Sequence, residues 1–165
     1  MFLLDTPVVA ELRKARAGQA DPALTAWAAG VAHQNLFISA LTLLELEAGV
    51  AQAERRDKTA AEGLRTWLDT QVTNAFEGRI LPVDASVARR RAQVAIADAR
   101  DALMAATAQV HGLTVVTRNQ AAFKAGKVKL LNPWDYRPDA ADDTTDWREG
   151  TRTGPLWFKN LFLRF

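Results

Sequence analysis

The chain has 165 residues, 48% of them hydrophobic and 24% charged, with a formal net charge of +2; this is a single-domain length with enough apolar side chains to bury a core. There is no cysteine, which excludes disulfides, thiolate metal sites and cysteine nucleophiles. The sequence pI near 9.2 permits nucleic-acid binding without arguing for it, because strong binders cluster their basic residues on one face.

Met1–Leu4 reads as an apolar strand with no basic leader before it, so a secretory signal is not expected. Asp5 follows. Thr6 can serve as an N-cap with Pro7 at the first helical position, predicting a helix to about Arg16. That leaves the Asp5 carboxylate either as an aid to the helix start, favoured by the macrodipole, or as a site residue. Pro22 to Leu44 carries no formal charge but is interrupted by Gly30, His33, Gln34 and Asn35. It reads as a helix to about Val31 and a strand over Leu36–Ser39, not as a membrane span.

Helical character then runs from Thr42 to Ala75. Thr42-x-x-Glu45 matches a capping box, a structural role that competes with a functional one for Glu45; Glu47 faces elsewhere and is expected to be solvated. Ile80–Val83 is a strand, and Asp84 is expected to cap the helix after it. Ala85 to His111 contains neither Gly nor Pro and reads as one helical stretch. Within it, Asp101 opens a segment whose Leu103, Thr107 and Val110 share a face, while its alanines allow close approach to a sheet. Asp101 is also an ordinary residue for a helix start.

Arg89, Arg90 and Arg91 point to different sides of a helix and are expected to be solvated. His111-Gly112 reads as a helix end with a glycine cap. Leu113–Thr117 is a strand running into Arg118 and Asn119, where Asn suits a turn, and Val128–Leu131 is the last strand. Composition changes near Tyr136: Asp139 to Asp146 is acidic and Gly154 to Phe165 is aromatic, apolar and basic. The expected organisation is one domain over 1–135 and a C-terminal extension over 136–165.

Strands alternating with helices predict an α/β fold, a central parallel sheet of about five short strands flanked by helices in three layers. Ligands of such sheets bind beyond the carboxyl ends of the strands, where Asp5, Thr117 and Asn119 fall. If Glu45 and Asp101 join them, three carboxylates and an amide would suit a hard divalent cation, which prefers oxygen ligands.

In order and spacing the segments resemble the PIN-domain family, and within it the VapC/FitB-like toxins. The resemblance rests on Met1-Phe2-Leu3-Leu4-Asp5-Thr6, Ile38 to Gly49, Arg79 to Asp84, Asp101 to Ala108, His111 to Asn119 and Leu131-Asn132-Pro133-Trp134. It implies a PIN-like fold and an endoribonuclease, dependent on Mg²⁺ or Mn²⁺, that is the toxin of a type II toxin–antitoxin system. The acidic site would comprise Asp5, Glu45 and Asp101 with Asn119 in the fourth place, where other members carry Asp. Asp5 and Asp101 would hold the metal, and Thr6, Thr117 and Arg118 would position substrate. The implied partners are a VapB-like antitoxin, RNA and a second copy of the chain, in the cytoplasm.

Several positions depart from the family pattern. Pro7 stands where Asn is usual, Ala122 replaces a commonly acidic residue, and the segment before Asp101 is short of its usual Gly/Pro loop. A continuous helix there would carry Asp101 away from the other carboxylates. That leaves a disabled PIN-like module binding antitoxin or RNA as the alternative. A receiver-like phosphoacceptor domain fits poorly, because Asp5 has no adjacent acidic partner and Arg118 stands where lysine is required.

Overall fold

A computed structural model describes residues 1–137, so the acidic segment and the aromatic tail noted above lie outside the described residues. Five strands, β1 (Phe2–Leu4), β2 (Leu36–Ser39), β3 (Ile80–Leu81), β4 (Thr114–Val116) and β5 (Lys129–Leu131), form one sheet in the order β3-β2-β1-β4-β5. Every pairing is parallel, with Phe2 beside Leu36 and Thr114, and Val116 beside Leu131. All five follow the apolar runs expected from the sequence; β2 keeps its expected bounds and the other four are shorter by one or two residues.

The helices are α1 (Thr6–Arg13), α2 (Pro22–Gly30), α3 (Ala40–Arg56), α4 (Lys58–Thr66), α5 (Thr73–Ala75), α6 (Ala85–Arg91), α7 (Ala99–His111) and α8 (Gln120–Phe123). Alternation along the strands divides the core between the two faces of the sheet. Leu4 and Val116 pack with Val8, Leu12, Trp27, Leu46 and Val50 of α1, α2 and α3. Leu3 and Val115 point the other way, onto Met104, Ala105 and Ala108 of α7 and Phe123 of α8. Leu3, Leu4, Val115 and Val116 are all fully buried, each contributing about 1.5–3 kcal/mol of apolar burial. With both faces covered, alternation alone does not pin the register of β1. It is set at the strand end, where the Asp5 N–H donates to the Val116 carbonyl at 3.0 Å.

The structure corrects the long helical stretches. Thr42 to Ala75 is divided at Asp57, which ends α3 and accepts from the Ala60 N–H at 3.0 Å to start α4. Trp67–Val72 then forms a π-helical turn. Arg65 ties α4 back to α3 through Glu47 at 2.7 Å and Glu54 at 3.0 Å, so Glu47 is ion-paired and not merely solvated. Ala85 to His111 is also not continuous. α6 stops at Arg91, and Val94 to Ile96 lie outside any helix, with the Val94 and Ile96 side chains buried among residues of α7 and α8. Asp98 then restarts the helix by accepting from the N–H groups of Arg100 at 2.9 Å and Asp101 at 3.0 Å.

Asp84 caps α6 through the Val87 N–H, and Gly112 ends α7 at φ +66°, as expected from the sequence. No helix among the described residues is long and apolar enough to cross a membrane.

Candidate active site at the carboxyl edge of the sheet

From β1 the chain first builds outward through β2 and β3, then returns to the other side of β1 for β4 and β5. The strand order therefore reverses beside β1, the place where an open α/β sheet leaves a crevice for ligands. Asp5 is the first residue beyond β1 and Thr117 the first beyond β4.

Asp5, not Thr6, is the N-cap of α1. One carboxylate oxygen accepts from the Thr6 N–H at 2.8 Å, and the other accepts from the Thr117 hydroxyl at 2.7 Å. Thr117 is fully buried, and its Oγ1 also accepts from the Asn119 N–H at 3.1 Å. Its hydroxyl therefore serves Asp5 and the turn, not solvent. Burial is the main cause raising the Asp5 pKa above its ordinary value; the hydrogen bonds from Thr117 and Thr6 oppose it, and the negative charges of Glu45 and Asp101 add to it.

Because Asp5 caps the helix, the Thr6 side chain is free, and its hydroxyl donates to Oε2 of Glu45. The capping box expected at Thr42 does not form. Ser39 is the N-cap of α3, accepting from the Thr42 N–H at 3.0 Å, and Thr42 Oγ1 donates to the Leu4 carbonyl at 3.3 Å. Glu45 therefore lies in the second turn of α3, where its Oε1 meets Nη1 of Arg100 at 3.2 Å.

Asp101 lies in the first turn of α7. Its pKa is raised, first by burial and then by the nearby charges of Asp98 and Glu45, with Arg100 opposing. The break before α7 thus keeps Asp101 within the electrostatic reach of Asp5 and Glu45. Asn119 precedes α8, and its side chain makes no hydrogen bond to the described residues. The Arg118 guanidinium lies 5.5 Å from the ring centre of Trp134.

Three contributors escaped the sequence reading: Ser39, Asp98 and Arg100. Asp98-x-x-Asp101 is a visible helix-start pattern that would have located the break. A groove of about 740 Å³ adjoins these groups, lined by Thr6, Pro7 and Ala10 of α1, Leu44, Glu45, Ala48, Gly49 and Gln52 of α3, and Arg100. Leu44 is 62% exposed there, an apolar side chain left in water.

The donors are of the kind a hard cation takes: anionic oxygens, partly desolvated and mutually repelling. Among the described residues no three Asp, Glu, His or Cys side chains are close enough to hold one ion together. Two carboxylates completed by water suffice for Mg²⁺, which retains several waters.

The PIN domain family model matches residues 2–128. Over 143 residues the chain is 36% identical to toxin FitB of Neisseria gonorrhoeae, covering 81% of this chain and 99% of that protein. It is 33% identical over 144 residues to VapC ribonuclease Y4jK of Sinorhizobium fredii, covering 82% and 99%. The crystal structure of FitAcB from Neisseria gonorrhoeae superposes with a TM-score of 0.74 at 36% identity, over 82% of this chain and 99% of that one. The chain therefore belongs to the PIN-domain family and is a homologue of the VapC and FitB toxins.

Proposed function

We infer that the protein is the toxin of a type II toxin–antitoxin pair, an endoribonuclease that hydrolyses RNA phosphodiesters with Mg²⁺ or Mn²⁺. The observation that carries this is Asp5: a carboxylate at the sheet reversal, clamped by Thr117 and Thr6, desolvated, and under the negative charge of Asp101 and Glu45. Folding alone gives no reason to gather like charges there.

Asp5 and Asp101 would hold the metal. A divalent cation so held supplies Lewis acidity and neutralises charge that develops on the phosphodiester. Thr117 holds the Asp5 carboxylate in one orientation, and Thr6 fixes Glu45. The unengaged Asn119 amide offers a donor and an acceptor to substrate or water, and Arg118 offers positive charge beside it. In hydrolysis a water oxygen bonds to phosphorus, the bond to the leaving ribose oxygen breaks, and that oxygen takes a proton.

The antitoxin reading draws on the groove between α1 and α3, whose exposed Leu44 and small residues suit an apolar segment leading to Glu45 and Arg100. A homodimer and a cytoplasmic place of action follow from the family. We assign the domain to residues 1–135 and leave 136–165 as an extension.

The test is to incubate the purified, antitoxin-free protein with total RNA and Mg²⁺ or Mn²⁺, with EDTA and Asp5→Asn as controls. Discrete cleavage lost in both controls supports the reading. A second reading, a non-catalytic module that binds antitoxin or RNA, is favoured by Glu45, both of whose oxygens are already engaged. Intact RNA from folded protein selects it.

A further inference from the structure

Arg100 is the second residue of α7, immediately before Asp101. A cation there opposes the helix macrodipole, which favours negative charge in the first turn. Its side chain is 68% exposed, and exposed ion pairs contribute little to stability. Helix formation and folding therefore give no reason for an arginine at this position.

The site does give one. Nη1 of Arg100 donates to Glu45 at 3.2 Å, and Glu45 is held from its other oxygen by the Thr6 hydroxyl. The guanidinium is thus fixed at the mouth of the groove, next in sequence to Asp101. Nε and Nη2 make no hydrogen bond to the described residues, which leaves donors of the planar fork for an incoming oxyanion. A guanidinium matches phosphate geometry and stays charged at any working pH. Arg91 approaches the same flank, acting with Arg100 on the Asp98 carboxylate. Beside carboxylates that repel a polyanion, a clamped cation offsets that repulsion where the RNA backbone must pass.

We propose that Arg100, held by Glu45, contacts substrate directly and grips the backbone phosphate next to the one that is cut. This rests on the nuclease reading for the identity of the polyanion. It makes Glu45 a clamp for Arg100 through one oxygen, and it assigns a function to a position outside the acidic set.

The test measures binding and cleavage separately. In the Asp5→Asn background, the affinity of a short fluorescein-labelled single-stranded RNA is read by anisotropy across a salt series, with and without Arg100→Ala. Loss of the contact weakens binding about tenfold and lowers the slope of log K against log salt by about 0.7. Arg100→Lys, which keeps the charge and loses the fork, retains the slope and recovers part of the affinity. In otherwise unmodified protein Arg100→Ala raises KM with kcat nearly unchanged, the mark of binding shared by ground and transition states. The thermal midpoint stays the same.

Unchanged RNA affinity and slope overturn the proposal and leave Arg100 to a protein segment in the groove. A loss of kcat at constant KM also overturns it, since Arg100 would then act through Glu45. If the unmodified protein cuts no RNA while the slope still depends on Arg100, the contact stands and the nuclease reading falls.

Discussion

Asp5→Asn should stabilise the metal-free protein while abolishing cleavage. Asn is as good an N-cap as Asp, so its oxygen keeps the bond from the Thr6 N–H. Its NH₂ can donate to Thr117 Oγ1, which has a second lone pair beyond the one that accepts from Asn119. The cap geometry is conserved; the charge is lost, and the Thr117 O–H gives up its carboxylate acceptor. Burial, Glu45 and Asp101 together raise the Asp5 pKa, so folding disfavours the ionised form.

The sign follows from proton linkage. A raised folded-state pKa means that the native protein holds its proton more tightly than the unfolded chain. The stability from protonated Asp5 is complete below the ordinary carboxylate pKa and is lost as pH rises through the folded value. Asn loses nothing over that window. The variant's advantage is therefore absent in acid, grows through the raised range and levels off toward neutral pH.

Stabilising substitutions at strained functional sites commonly give about 0.5–2 kcal/mol. At roughly 2–4 °C per kcal/mol for a chain of this size, that is a few degrees in the thermal midpoint. The assay is thermal unfolding by circular dichroism in EDTA, at acidic and neutral pH. Adding Mn²⁺ at a hundred times its dissociation constant should reverse the ranking, stabilising the unmodified protein by about 2.7 kcal/mol through mass action and leaving the variant nearly unmoved. A variant less stable than the parent at neutral pH in EDTA, or an advantage independent of pH, would refute the reasoning.

Thr117→Val keeps the shape but removes the donor to Asp5 and the acceptor for the Asn119 N–H. A stability loss of about 1.5–3 kcal/mol at neutral pH is expected in urea unfolding, since the bond is to a charged group, with weaker Mn²⁺ binding. At Gly126 an added Cβ would sit 2.7 Å from Cδ1 of Ile96 and 3.2 Å from Cβ of Ala105. Gly126→Ala should cost about 1–3 kcal/mol by overpacking, and Ile96→Val, which deletes that Cδ1, should recover part of it in a double-mutant cycle. Asp98→Ala should lower both the thermal midpoint and cleavage by releasing the start of α7, whereas Asp98→Asn, still able to cap, should preserve cleavage. Hydrogen bonds to Asp98 hold its pKa below the ordinary value, so the stability it contributes is present above that value and fades as acid protonates it; Asp98→Asn should lack that acid-side loss.

Much of the fold, and the strand-end positions of the candidate site, was legible in the chain itself. Buried strands read as short apolar runs whatever their neighbours, because both faces of a covered parallel sheet demand apolar side chains. Asp5 and Thr117 could be placed at strand ends by counting, and glycine at 112 marks the end of α7 since the left-handed turn there suits it. Where two neighbouring residues, up to a turn apart, are chemically equal caps, local sequence does not choose. Thr6 and Asp5, or Thr42 and Ser39, can each start a helix, and the choice is made by distant partners: Glu45 takes the Thr6 hydroxyl, and the Leu4 carbonyl takes that of Thr42.

The break before α7 depends on the tertiary structure in the same way. Val94, Ala95 and Ile96 are individually tolerable in a helix, and no Gly or Pro marks an end. They leave the helix because Val94 and Ile96 are buried among residues of α7 and α8, with the Ile96 side chain against Gly126. That burial shortens α6, lets Asp98 restart the chain and brings Asp101 and Arg100 to Glu45. The sequence by itself determined which groups are available; tertiary packing decided which of them meet, because convergence depends on contacts between residues far apart in the chain.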